Sequence, residues 1–218
     1  MFIQNAWYVA CALSELQGLQ DRPLGRTICN QKIAFFITAD QQVAAVEDFC
    51  PHRGAPMSLG QVCNGHLRCG YHGLLMDGQG QVLEMPQQRV RGFPRTRSFP
   101  VHLRYGFVWV WPGDADRADP ALMPQFDFMS HPDWAYGGGL YHVKADYRLM
   151  IDNLMDLTHE TYVHANSIGQ PELEETSSET LTDGDRVITQ RFMSDIQAPP
   201  FWQMAMQAQG LEIGRAHV

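Results

Sequence analysis

Apolar residues near the N-terminus come in short runs separated by turn-forming positions. Trp7-Tyr8-Val9-Ala10 predicts a strand. Arg26-Thr27-Ile28-Cys29 and Lys32-Ile33-Ala34-Phe35-Phe36-Ile37 predict two more, joined by a tight turn at Asn30-Gln31. Val43-Ala44-Ala45-Val46 follows a further turn, and Gly106-Phe107-Val108-Trp109-Val110-Trp111 closes the set with strong β formers. Short β-rich runs of this kind predict a small antiparallel sandwich or barrel. The pattern changes at Pro112, where an Asp- and Pro-rich stretch to Pro120 reads as a linker. Beyond it, Gly137-Gly138-Gly139 leads into an expected strand at Leu140 to Ala145. Tyr147, Met150, Ile151, Leu154, Met155 and Thr158 recur at helical spacing and predict a helix from Tyr147 to about Thr161. Thr182-Asp183-Gly184-Asp185 predicts a hairpin. The fold class expected is α+β: an all-β domain over 1–115, then helix plus antiparallel sheet over 116–211.

With 218 residues, 44% of them hydrophobic, the chain can bury real cores without disulfide staples. Its formal charge of −8 opposes a nucleic-acid or anionic-membrane partner, which calls for a positive surface. No apolar run is long enough to span a membrane. The start, Met1-Phe2-Ile3-Gln4-Asn5, turns polar too soon for a signal peptide, so a cytoplasmic location is expected. Cysteines 11, 29, 50, 63 and 69 make an odd number, which suits metal ligation or burial better than a disulfide framework. Cys11, Cys29 and Cys63 are expected in the core, as are Phe201, Trp202 and Met204.

Two short stretches carry the most chemistry. Cys50-Pro51-His52 and Cys69-Gly70-Tyr71-His72 each pair a thiol with an imidazole, and each sits in a Gly- or Pro-bearing loop after a strand. Facing one another, such loops supply two sulfurs and two nitrogens. That set suits a [2Fe-2S] cluster with both cysteines on one iron and both histidines on the other. Neutral imidazoles raise the cluster potential above that of an all-cysteine site. A Cys2His2 zinc site uses the same donors, but usually spaces its paired cysteines two to four residues apart. Four buried side chains without a ligand are the remaining reading.

Asn153, Asp156, His159 and His164 form a second group. Two histidines and a carboxylate on one face are the donor set of oxygen-activating non-haem iron. His159 and His164 would lie about 140° apart on an ideal helix. A helix end, π-bulge or kink is therefore expected between them. The spacing also excludes the His-Glu-x-x-His zinc motif. Glu160 is expected to be solvated. Arg89, Arg91, Arg95 and Arg97 make a local basic run, read as a solvated loop or as a docking surface for an electron donor.

The Cys-x-His and Cys-x-x-His pair, separated by sixteen residues, resembles the Rieske domain of ring-hydroxylating oxygenases over residues 1 to about 115. Asn5-Ala6-Trp7-Tyr8-Val9-Ala10 and Cys69-Gly70-Tyr71-His72-Gly73-Leu74 resemble the vanillate O-demethylase oxygenase branch. The run from Asn153 to His164 matches the iron motif Asn-x-x-Asp-x-x-His-x-x-x-x-His. The resemblance implies that Cys50, His52, Cys69 and His72 hold the [2Fe-2S] cluster and that His159 and His164 ligate mononuclear Fe(II). It makes Asp156 the acid bridging one subunit's cluster to the next subunit's iron, within a head-to-tail homotrimer, and places Asn153 beside that site. A third, carboxylate ligand is expected downstream of this chain. None of Asp183, Asp185 and Asp195 is assigned that role.

The implied activity is monooxygenation of a methoxy-aromatic acid such as vanillate. Electrons would come from NADH through a separate flavin and iron–sulfur reductase, with O2 as oxidant; a phenol and formaldehyde would result. Hydroxylation of another aromatic substrate, or electron carriage alone, remain alternatives. Residues 212–218 are expected to be a non-native tail, because a nucleotide string encoding them matches a sequencing adaptor. His217 is accordingly not read as a ligand, and the truncated chain is expected to be inactive.

Overall fold

In a computed structural model the chain is described over residues 2–184 and 186–207, with the backbone of 212–217. It forms two compact units, Met1–Gly138 and Gly139–Val218.

The first unit is built almost wholly from antiparallel strands. β1 (Tyr8–Ala12) runs into a short helix, α1 (Leu13–Gly18). β2 (Leu24–Ile28), β3 (Gln31–Ile37) and β4 (Val43–Glu47) form one sheet in that order. β5 (Gln61–Cys63), β6 (His66–Arg68), β7 (Leu75–Met76) and β8 (Val82–Glu84) make a four-stranded meander. β9 (Val101–Arg104) and β10 (Phe107–Val110) complete a third sheet, with β10 between β9 and β1.

Strand side chains alternate between faces, and β3 is buried on both. Ala34 and Phe36 join a core containing Val46, Cys50, Met57, Leu67, Cys69 and Leu74. Ile33 and Phe35 join a second core with Leu16, Ala45, Val108 and Val110. All four β3 side chains are wholly sequestered. This explains its unbroken apolar run, which is what a strand covered on both faces requires.

Three local expectations are corrected here. The β2–β3 turn is at Cys29-Asn30, not Asn30-Gln31: Ile28 pairs with Gln31, and both turn residues have positive φ, as a two-residue hairpin of that twist needs. The stretch after Pro112 is no extended spacer. Asp114 and Asp119 accept backbone N–H bonds that start short 3-10 turns. Asn5 Oδ1 accepts from Asp114 N, while the Trp7 and Trp111 indoles donate to the carbonyls of Asp119 and Asp114. Residues 140–145 form no strand.

The second unit opens with α2 (Tyr147–Met155), whose N-cap Asp146 accepts from Arg148 N and pairs with its guanidinium. The helix stops at Asp156 rather than near Thr161, because Asp156 is extended (φ −116, ψ 98) and caps a new 3-10 turn over Leu157–His159. α3 (Glu160–Val163) and α4 (Glu172–Glu175) are single turns. β11 (Glu179–Asp183) and β12 (Arg186–Gln190) form the expected hairpin; Asp185 itself lies outside the described residues. β13 (Phe192–Gln197) leads to α5 (Pro200–Ala205), and β14 (Glu212–His217) pairs back on β13. Phe201, Trp202 and Met204 are exposed rather than core. Leu211, Val218 and the side chains of 212–217, on which the non-native-tail reading falls, lie outside the described residues.

Candidate metal centres

The two Cys/His loops are built alike. One leaves β4 and the other joins β6 to β7. In the first, Cys50 N donates to Ala55 O, and Gly54 N donates back to Cys50 O. In the second, Cys69 N donates to Leu74 O, and Gly73 N donates back to Cys69 O. Both loops thus close over the same number of residues. The glycine four positions after each cysteine has φ near the left-handed region, +72 at Gly54 and +77 at Gly73. That conformation suits glycine because it lacks Cβ.

Closure of the loops places like donors together. Cys50 and Cys69 are both buried in the same core, and Cys69 lies near enough to act on the Cys50 thiol. The His52 and His72 rings lie edge to face, centroids 4.7 Å apart. Burial pushes the Cys50 thiol up, opposed by the His52 backbone N–H and reinforced by Cys69. Partial burial holds the His52 imidazole below its usual value, with His72 and Arg53 adding to this. His52 Nδ1 is sealed from solvent without a hydrogen-bond partner. A neutral imidazole with a buried free nitrogen is what a metal takes as ligand.

The donors fit a two-iron cluster. Sulfur pairs with sulfur and nitrogen with nitrogen, and each iron of such a cluster takes only two protein ligands. A single tetrahedral ion needs three or four converging groups. Among the described residues no three His, Cys, Asp or Glu side chains converge in that way. All five cysteines are free. Cys11 and Cys29 are buried as expected, and Cys63 is half-buried.

A carboxylate supports the first loop. Asp48, two residues before Cys50, accepts from Ser58 N and Ser58 Oγ, both at 2.6 Å. This ties the β4 exit to the 3-10 turn carrying Met57, which packs among Cys50 and Cys69. Sequence reading missed Asp48, since one acid beside a strand carries no motif. Of the basic run, Arg95 and Arg97 are engaged in hydrogen bonds with Gln79, Gln31 and the carbonyls of Pro112 and Gly113. Arg89 and Arg91 are exposed.

In the second unit the chain breaks bring Asn153, Asp156, His159 and His164 into one neighbourhood. His159 ends the 3-10 turn and His164 caps α3, so the run between them is one helical turn with a junction at its start and an end at its finish. Their ring centroids are 5.4 Å apart. His159 Nδ1 lies 2.8 Å from Asp156 O. A carbonyl only accepts, so Nδ1 carries the proton and Nε2 is the lone-pair nitrogen. Asn153 Nδ2 donates to that Nε2 at 3.3 Å. The tautomer leaves the Nε2 lone pair as the one a metal could take, an arrangement common to metal-bound histidines.

Asp156 touches His159 through its main chain. Its Oδ1 instead accepts from Thr158 N and Oγ1. These bonds hold the carboxyl below its usual range, with the charge of Arg191 adding. Glu160 is half-buried rather than fully solvated. Arg191, which no motif flagged, is buried in the same unit.

Residues 6–100 match the Rieske [2Fe-2S] domain, and residues 143–218 match the vanillate O-demethylase oxygenase C-terminal domain. The chain is 60% identical to the vanillate O-demethylase oxygenase subunit of a Pseudomonas sp. over 97% of its own length and 59% of that protein's. The chain belongs to the Rieske oxygenases of the vanillate O-demethylase branch. A second Rieske relative, the dicamba O-demethylase oxygenase component of Stenotrophomonas maltophilia, is 46% identical over 75% of this chain and 48% of its own. The crystal structure of dicamba monooxygenase bound to 3,6 dichlorosalicylic acid superposes with a TM-score of 0.88 at 36% identity, covering 99% of this chain and 63% of that one. Sheet dominance with an N-terminal Rieske domain therefore stands as expected. The chain spans between 56% and 59% of the two vanillate O-demethylase subunits it matches. Among the described residues no helix is long and apolar enough to cross a membrane.

Proposed function

We propose that this chain belongs to the oxygenase component of a Rieske-type monooxygenase that O-demethylates a methoxy-aromatic acid such as vanillate. The observation that carries the reading is the matched pair of loops, which sets two thiols together and two imidazoles together. Cys50 and Cys69 would hold one iron of a [2Fe-2S] cluster, and His52 and His72 the other. His159 and His164 would hold mononuclear Fe(II), with a carboxylate from elsewhere in the full-length protein. When bound, the cluster supplies single electrons and the mononuclear iron supplies the oxygen chemistry that releases the methyl group as formaldehyde.

The chain's own residues prepare these sites. The loop hydrogen bonds and the two glycines fix the donors before metal arrives, which lowers the ordering cost of binding. Partial burial keeps His52 neutral at physiological pH, so that Nδ1 is available. Asp156 O fixes the His159 tautomer, and the Asn153 amide, which donates to Nε2, would yield that lone pair when iron binds. An ionised Asp156 is the acid that would accept a ring N–H from a neighbouring subunit's cluster histidine. That role calls for a head-to-tail homotrimer, in which Asp156 offers a short path between centres. NADH would donate through a separate flavin and iron–sulfur reductase, and the protein would be cytoplasmic, with no nucleic-acid or membrane partner.

The test uses the full-length protein. Purified aerobically, it should contain iron and acid-labile sulfide and a visible chromophore bleached by dithionite. Given NADH, a reductase, O2 and vanillate, it should form formaldehyde in step with NADH consumed. A colourless, zinc-containing preparation would overturn the cluster assignment. A reducible cluster without iron in excess of its own pair would favour an electron carrier.

A further inference from the structure

We propose that Arg191 is a positioning residue for Asp156, acting through one water held in the small cavity they share. Arg191 follows β12 and is 6% exposed. Its Nε and Nη1 are sealed from solvent and have no hydrogen-bond partner among the described residues. A buried guanidinium with two idle donors is unfavourable unless something accepts from them. Next to it is a cavity of about 30 Å³, lined on one side by Asp156 and Thr158 and on the other by Ser178, Thr189, Gln190 and Arg191. That volume matches one water's share of the liquid, and the walls are polar enough to hold one.

One water can satisfy one of the two idle donors. Nε–H and Nη1–H face opposite sides of the guanidinium, so the water accepts from whichever faces the cavity and donates to the Asp156 carboxylate. Asp156 can receive it, because its carboxylate bonds from Thr158 both fall on Oδ1. A small anion in the same space would instead face a carboxylate of like charge, and an aromatic acid would not fit. The consequence reaches the metal ligand. Asp156 caps the turn that ends at His159, and its carbonyl fixes the His159 ring. Arg191 would therefore hold both the bridging acid and, through it, the orientation of His159.

The role of Asp156 rests on the function proposed above; the water does not. The first experiment is a crystal structure of the full-length protein. It should show one ordered water within hydrogen-bonding distance of both the Arg191 guanidinium and the Asp156 carboxylate. A dry cavity, or a guanidinium paired with a carboxylate from another part of the full-length chain, would overturn the proposal.

The second experiment compares Arg191→Met, Arg191→Lys, Asp156→Asn and the Arg191→Met/Asp156→Asn double variant. Each is prereduced and mixed with O2 and vanillate, and cluster reoxidation is followed at matched cluster and iron content. Arg191→Met should slow reoxidation by about tenfold or more, and Arg191→Lys should stay within about threefold of wild type. The double variant should be no slower than Asp156→Asn alone, since the two residues act in one chain. Unchanged rates in Arg191→Met, or losses that multiply in the double variant, would refute it. Should Arg191→Met fail to fold, the lysine variant and the structure still decide. A wild-type protein whose cluster never reoxidises into product would remove the proposed function, while the structure would still report on the water.

Discussion

Replacing the loop glycines with alanine separates two costs that the structure distinguishes. Gly54, Gly73 and Gly106 have nearly equal φ, +72, +77 and +77. Forcing a Cβ into that region costs about 1 kcal/mol in each case. What differs is the surroundings. A Cβ on Gly106 meets nothing within 4 Å, so Gly106→Ala should lose only that amount. A Cβ on Gly54 would come 3.1 Å from Phe49 Cε2, but Phe49 is 48% exposed and its ring can swing away. Gly54→Ala should therefore behave much like Gly106→Ala. A Cβ on Gly73 would come 3.2 Å from Pro86 Cγ; Pro86 is exposed too, but its ring is closed on the backbone and follows the buried Met85, so it cannot swing away as Phe49 can. This adds about 1–2 kcal/mol of overpacking. Gly73→Ala should thus lose about 2–3 kcal/mol in all. Urea unfolding of the full-length protein, followed by tryptophan fluorescence, reads the difference. With a slope of about 2 kcal/mol per molar, the Gly73→Ala midpoint should fall by about 1 M or more, and the other two by about half that. Equal losses in all three variants would show that Pro86 imposes nothing. No loss in any would refute the argument from positive φ.

Asp48→Ala should destabilise the first unit by about 2–3 kcal/mol, since it strands two Ser58 donors bonded to an ionised group, and Asp48→Asn by roughly half as much; denaturant titration of both variants checks the order. Burial, assisted by Glu15, pushes the Cys11 thiol up from 9.0 to about 11. Iodoacetamide at pH 8.5 should therefore label half-buried Cys63 well before Cys11, by peptide mapping. Because that pKa is raised on folding, its stabilisation is complete below pH 9 and fades as pH climbs through 11. Asp146 runs the other way: its bonds to Arg148 lower its carboxyl from 3.8 to about 2. Its contribution to α2 is full above pH 3.8 and is lost as pH falls through 2, so Asp146→Ala should remove the part of the acid-induced helix loss that falls in this window.

The Rieske loops were legible because metal chemistry demands particular donors, and Cys-x-His with Cys-x-x-His states that demand within two short windows. Strand locations were legible for a similar reason: an apolar run such as Ile33 to Phe36 has few ways to stay dry. Less visible were features decided by capping and distance. Apolar spacing continues past Asp156, so periodicity extended the helix, yet the Asp156 side chain bonds to Thr158 and starts a new turn. Leu140 to Ala145 has strand-like composition, but a strand exists only when something pairs with it. Arg191 and Asp48 act on residues far from them or without any repeating pattern, and a single charged residue in a β-rich run announces nothing.

β3 is wet on neither side. Its Phe36 belongs to the core that includes Cys50 and Cys69, and its neighbour Phe35 to the core under α1 and β10. Such a party wall cannot be removed from one room without opening the other. Amides of Ile33 to Phe36 should be among the slowest in the first unit to exchange with deuterium, and damage in the room remote from the iron–sulfur loops should still bleach them.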